Sequence, residues 1–149
     1  GPPLPPLPPL PVEDGAGLAE VLQARLERVW RLLRMPMMQK LDLVIKYTSR
    51  DLSENLESAL ETWEVGAAAI LHRERCLQDV KAASAAADIA IELMDELDHA
   101  EKRMRRSTVH VLQAESRLRA DFGDMLTLNG EPYVDTYIGS AAGLYNIPL

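Results

Sequence analysis

Residues 51–122 read DLSENLESALETWEVGAAAILHRERCLQDVKAASAAADIAIELMDELDHAEKRMRRSTVHVLQAESRLRADF. Across these 72 residues there is one glycine, Gly66, and no proline. The usual helix breakers are therefore missing, and Ala, Leu, Glu and Arg, all good helix formers, make up much of the stretch. Apolar residues recur at helical spacing at Leu52, Leu56, Leu60, Trp63, Ala67, Ile70, Leu77 and Val80, and again at Ile91, Met94, Leu97, Met104, Val111, Leu118 and Phe122. Between the two seams, Lys81–Asp88 carries no large apolar side chain. A helix running straight through would reach ~108 Å at 1.5 Å per residue. A cap at Ser84 or Asp88 would instead let 51–83 and 88–122, nearly equal in length, fold back as an antiparallel hairpin that buries both seams within one chain. The hairpin is the favoured expectation, because packing of an amphipathic face supplies most helical stability. It places Leu77 and Val80 near Ile91 and Met94, and Leu56 near Leu118. Asp51 followed by Glu54 resembles a capping box at the start of the rod.

Upstream, Leu18, Leu22, Leu26, Val29 and Leu33 fall at three-to-four spacing with Trp30 beside them, and Pro36 stops that helix. Met37 to Tyr47 forms a second short helix, with Leu41, Leu43, Val44, Ile45 and Tyr47 as its apolar contacts. Arg25, Arg28, Arg31 and Arg34 recur every third residue, either as a solvated face or as a stripe that grips an acidic surface. Residues 2–10 are three copies of Pro-Pro-Leu. In polyproline II, with three residues per turn, Leu4, Leu7 and Leu10 share one stripe. Such a strap serves as a semi-rigid linker, lies along a neighbour, or enters an SH3-like or profilin-like groove. No Arg or Lys flanks the PxxP, which weighs against an SH3 ligand.

Downstream, Leu126-Thr127-Leu128 alternates like a short strand and Asn129-Gly130 is a turn signal. Tyr133, Tyr137 and Tyr145 then cluster within 13 residues. Amphipathic aromatics in a Gly-containing tail suit a docking segment that orders on a partner, or one that folds back on its own hairpin. The expected organisation is all-α: a proline-rich extended segment at 1–13, N-terminal helices at 14–47, a long helical hairpin or coiled coil at 50–122, and an irregular Tyr-rich docking tail at 123–149.

Composition narrows the function. A net charge of −7 disfavours nucleic acid or anionic membrane as the main partner. Cys76 is alone, so no intrachain disulfide is expected and a reducing compartment is the simple reading. No apolar run approaches the ~20 residues that span a bilayer. Gly1-Pro2 reads as a tag-cleavage scar, and the missing initiator Met and the ending at Pro148-Leu149 suggest a piece of a longer protein. Glu96-Leu-Asp-His99 matches the Glu-x-x-His unit of di-iron bundles but occurs once, where such a site needs two. Cys76 and His72 lie one turn apart without an orienting third group. The expectation is a protein that is not an enzyme, with no cofactor, no metal, no catalytic residues and no small-molecule substrate. The acidic run Asp88, Glu92, Asp95, Glu96, Asp98 and Glu101 precedes Lys102, Arg103, Arg105 and Arg106, a block pattern that favours one registry against a partner.

Three pieces occur in order: Leu26-Glu-Arg-Val-Trp30 with Leu41-Asp-Leu-Val-Ile-Lys-Tyr-Thr-Ser49; Trp63 followed by Ile70-Leu-His-Arg-Glu74; and Phe122-Gly-Asp with Gly130-Glu-Pro-Tyr133. In these the chain resembles the coiled-coil domain-containing protein 87 family of ciliary and flagellar proteins, over about residues 26–137. It departs from that pattern after Ala83-Ser84, where Ala-Ala-Ala stands in place of an Asp-Pro-Asn-type loop. The resemblance implies a non-catalytic, microtubule-associated linker of the axoneme, in the cytoplasm and cytoskeleton, that binds neighbouring protein subunits. Candidate partner-binding residues are Leu4, Leu7, Leu10, Arg25, Arg28, Trp30, Arg31, Trp63, Tyr133, Tyr137 and Tyr145. The competing expectation is a soluble adaptor that recruits an SH3-like or profilin-like module through the Pro-Pro-Leu repeat.

Overall fold

A computed structural model describes residues 3–49 and 53–139 of the chain. It is mostly helical: α1 (Leu18–Leu32), α2 (Met37–Tyr47), α3 (Leu56–Ile89) and α4 (Met94–Phe122), with 3-10 turns at Ser53–Asn55 and Ile91–Leu93. A two-stranded antiparallel ladder, β1 (Thr127–Leu128) with β2 (Glu131–Pro132), and a π turn at Val134–Ile138 follow.

The end of α1 is set by backbone bonds. Arg34 takes a left-handed conformation (φ 53°), its N–H donates to the Arg31 carbonyl, and the Met35 N–H donates to the Trp30 carbonyl at 2.9 Å. This is a Schellman stop with Arg where glycine is usual, and Pro36 then prevents continuation. At the other end of the molecule α4 stops at Gly123, which is left-handed (φ 69°) and closes onto the Arg119 carbonyl. Asn129 and Gly130, both at positive φ, make the tight turn between the strands.

α3 is the axis on which the rest is assembled, and its contact with α4 is the most extensive in the molecule. The Ala-rich segment Lys81–Asp88 remains helical, and the break falls at Ala90, which is extended (φ −136°, ψ 109°). The expected caps at Ser84 or Asp88 are therefore not used, and Asp51 of the expected capping box lies outside the described residues. With the reversal at Ala90 the register differs from that expected. Arg73 Nε donates to Thr108 Oγ1 at 2.9 Å, and Leu56 meets α1 and α2 instead of Leu118, lining a small apolar void with Leu26, Leu43 and Trp63. Ile91 and Met94, expected on the second seam, stand in solvent.

The core gathers Val29 and Leu33 of α1, Leu43 and Tyr47 of α2, Leu60, Trp63, Ala67 and Ile70 of α3, and Val111 and Leu118 of α4, closed by Leu126, Leu128 and Tyr133. Gly66, the one glycine of the rod, explains how the segment after α4 reaches α3. A Cβ at this position would come within 2.3 Å of the Leu126 side chain, so the missing Cβ is the seat of Leu126. The core ends partway along the rod. No α3 residue beyond Cys76 and no α4 residue before Ala100 is buried, so the distal part is a two-helix arm projecting from a bundle.

Candidate interaction surface

The candidate residues separate into those consumed by the chain's own packing and those left at the surface. Leu4, Leu7 and Leu10 are half-buried, Leu4 packs against the core cluster, and Arg28 Nη1 donates to the Pro8 carbonyl at 2.9 Å. The strap is thus laid along its own domain, with its leucine stripe partly covered. Tyr133 is fully buried. Its hydroxyl accepts from Arg73 Nη1 at 3.0 Å and donates to Glu74 Oε2 at 3.1 Å, and burial pushes its pKa up to about 12. Tyr137 stacks on it with ring centroids 5.0 Å apart and donates to the Leu128 carbonyl. The part of the tail holding these two tyrosines folds back on α3 because the buried Arg73 needs an oxygen partner and an aromatic face. Tyr145 lies outside the described residues.

Two of the four arginines on α1 are also turned inward. Arg25 and Arg28 converge on Glu64 of α3, each with an N–O distance of 2.5 Å, and Arg25 also approaches Glu57 at 3.8 Å. Burial alone would raise the Glu64 carboxyl, but hydrogen bonds from both guanidinium groups outweigh it and hold the pKa below the usual carboxylate value. Of the two readings of the stripe, a solvated face or a grip on an acidic surface, these two residues follow the second, and the surface is the chain's own α3. Trp63 is buried and donates through Nε1 to the Tyr47 hydroxyl at 3.3 Å. That hydroxyl donates in turn to Asp124, which Lys46 pairs at 2.9 Å. Trp63 is therefore an internal anchor that ties α2 and the segment after α4 to α3.

Histidine and cysteine chemistry gathers no partner set. Cys76 Sγ lies 3.7 Å from His72 Nε2, and the pKa of His72 is pushed down by burial and by Arg75 and His110. Glu96 and His99 are both exposed on α4. Among the described residues no three His, Cys, Asp or Glu side chains converge on a metal position, and no helix is long and apolar enough to cross a membrane.

What remains at the surface is the outer face of α2. Met37, Met38, Leu41 and Ile45 are all exposed, and they form a stripe opposite the buried Leu43 and Tyr47. Beside it lies an open groove of about 500 Å³ between α1 and α2, lined by Trp30, Met35, Leu41 and Val44 and rimmed by Arg31, Arg34 and Lys40, with Glu27 at one end. Trp30 is half-buried, Lys40 Nζ sits 5.7 Å from its ring, and its Nε1 has no hydrogen-bond partner among the described residues. Arg31 and Arg34 are exposed and form no ion pair among the described residues. Of the candidate residues, Trp30 and Arg31 are thus brought together in one groove. Sequence reasoning misses the α2 stripe as a surface because it assigns Leu41 and Ile45 to packing and gives Met37 and Met38 no role. The available signal was that an eleven-residue helix with apolar residues on both faces has more apolar surface than one neighbour can cover.

No protein-family model matches the chain, and no solved structure matches it. Among curated proteins it is similar to coiled-coil domain-containing protein 87 of Mus musculus, at 26% identity over an alignment of length 141 that covers 83% of this chain. The chain spans about one sixth of that protein's length, 16%. An identity at this level supports a distant relationship to that coiled-coil domain-containing protein.

Proposed function

We propose that the chain is a non-catalytic helical module that holds a neighbouring protein subunit, acting as a coiled-coil linker in the ciliary or flagellar axoneme. The observation that carries the docking part is the exposed Met37, Met38, Leu41 and Ile45 stripe beside a basic-rimmed groove. A contiguous apolar patch rimmed by polar groups is how monomeric surfaces mark a protein-binding face. The axonemal part rests on the short motifs in which the sequence resembles a ciliary and flagellar family, with the distant likeness to the mouse coiled-coil domain-containing protein beside it.

The test uses tagged full-length protein, wild type and Leu41→Asp/Ile45→Asp, in ciliated cells extracted with detergent. Wild type is expected to stay with the axonemes and the variant to wash out. Wild type in the soluble fraction overturns the axonemal assignment, and equal retention of the two proteins overturns α2 as the docking face.

A further inference from the structure

The molecule exposes a second apolar surface, at the end of the two-helix arm. Ile89 is 90% exposed and Ile91 79%, with Leu93 and Met94 beside them. They sit in a strongly acidic setting. Positions 82–101 contain six Asp or Glu and no Lys or Arg, and Asp88, Glu92, Asp95 and Glu96 are exposed without an ion pair among the described residues. The tip thus combines β-branched apolar side chains with unneutralised carboxylates.

The α1–α2 groove has the complementary make-up. Its floor is Trp30 with Leu41, and its rim is Arg31, Arg34 and Lys40 against the single acid Glu27, with Asp42 exposed nearby on α2. Arg34 is held in the left-handed conformation that favours glycine, so an arginine stands there at a backbone cost.

Geometry excludes closure within one molecule. The groove lies beside the part of α3 at Glu64, which Arg25 and Arg28 grip, whereas the tip is 25 residues further along a continuous helix, ~37 Å at 1.5 Å per residue. The arm cannot fold back on itself without breaking α3. The acidic tip that fits the basic groove in charge must come from another molecule.

We infer that a second copy of this chain supplies the partner: the acidic, isoleucine-bearing tip of one copy docks in the basic, Trp30-floored groove of the next. This rests on the reading of the α2 groove as a docking surface and names its occupant. Two different patches meet at opposite ends of the long axis, so the pairing propagates head to tail, or closes as an antiparallel dimer when each tip enters the other copy's groove. The charged rim pairs are solvent-accessible and weaken with salt, while the isoleucines against Trp30 supply the apolar contact.

The test is sedimentation velocity on the full chain over a concentration series at low and high salt. Wild type is expected to grow in sedimentation coefficient with concentration, and less so at high salt. Reversing the tip (Glu92→Lys/Asp95→Lys/Glu96→Lys) or the groove (Arg31→Glu/Arg34→Glu) is expected to weaken association at least about tenfold, since like charges then face each other. Circular dichroism checks that each variant is folded. Mixing the two variants restores association, because each reversed surface then meets its complement on the other protein and each unreversed one does the same. A wild type that stays monomeric throughout, association that survives both reversals, or a mixture no larger than its parts overturns the inference. A monomeric wild type, together with loss of Leu41→Asp/Ile45→Asp from axonemes, leaves docking intact with a different partner. Self-association together with wild type in the soluble fraction removes the axonemal assignment and leaves this one.

Discussion

Replacing Tyr133 by Phe removes one oxygen from the centre of the molecule and keeps the ring. That oxygen accepts from Arg73 Nη1 at 3.0 Å and donates to Glu74 Oε2 at 3.1 Å, while Arg73 Nε is held by Thr108 Oγ1 at 2.9 Å. Tyr133 is 0% and Arg73 6% exposed, so water does not readily replace the lost partner. Both bonds involve a charged group, and each such bond contributes about 1.5–3 kcal/mol, with part of the loss offset because Arg73 retains Thr108. A net loss of about 2–3 kcal/mol follows, with the m-value unchanged in urea. For a domain of this size that is a fall in Tm of roughly 4–10 °C. Tyr137→Phe is the control: it loses a half-exposed neutral bond to the Leu128 carbonyl at 3.3 Å and is expected to cost about 1 kcal/mol or less. Ultraviolet titration gives an independent check, since the Tyr133 phenol, raised to about 12 by burial, is lost from the late-titrating class. A Tyr133→Phe protein as stable as Tyr137→Phe would refute the argument that Arg73 draws this segment onto the helices.

Three other outcomes follow from the packing. Trp63→Ala, which empties a buried site and leaves the Tyr47 hydroxyl without its donor, is expected to cost about 3–5 kcal/mol in chemical denaturation. Gly66→Ala gains about 1 kcal/mol of helix preference but forces the buried Leu126 aside, for a net loss of up to about 2 kcal/mol; in a double-mutant cycle Leu126→Ala should relieve part of that loss, and strict additivity would count against the contact. Glu64 has a folded pKa below its unfolded one, so its contribution is present above the ordinary carboxylate pKa and disappears as pH falls through the folded value. Glu64→Gln should therefore lower stability at neutral pH and flatten the acid limb of the stability–pH curve, and an unchanged limb would show that Arg25 and Arg28 do not hold it.

Local chemistry determined the helical character of this protein without help from the fold. A long stretch free of proline, with a single glycine and apolar residues at helical spacing, has no alternative to helix, and Pro36, Gly123 and Asn129-Gly130 mark breaks through backbone constraints each residue carries alone. The resemblance of short ordered motifs was likewise legible in the residues themselves. Tertiary structure decided the rest. The reversal falls at Ala90 and not at Ser84 or Asp88 because alanine is helical on either side of any break, so register rests on long-range pairs such as Arg73 with Thr108. It decided that Arg25 and Arg28 face inward, that Tyr133 is core, and that the strap covers its own α1, since a periodic stripe states a direction and not what lies in it. It also left two apolar faces exposed. A sequence pattern distinguishes apolar from polar, but whether an apolar stripe is core or docking surface depends on how many neighbours the fold supplies, and α2 and the arm's tip have more apolar surface than this chain covers.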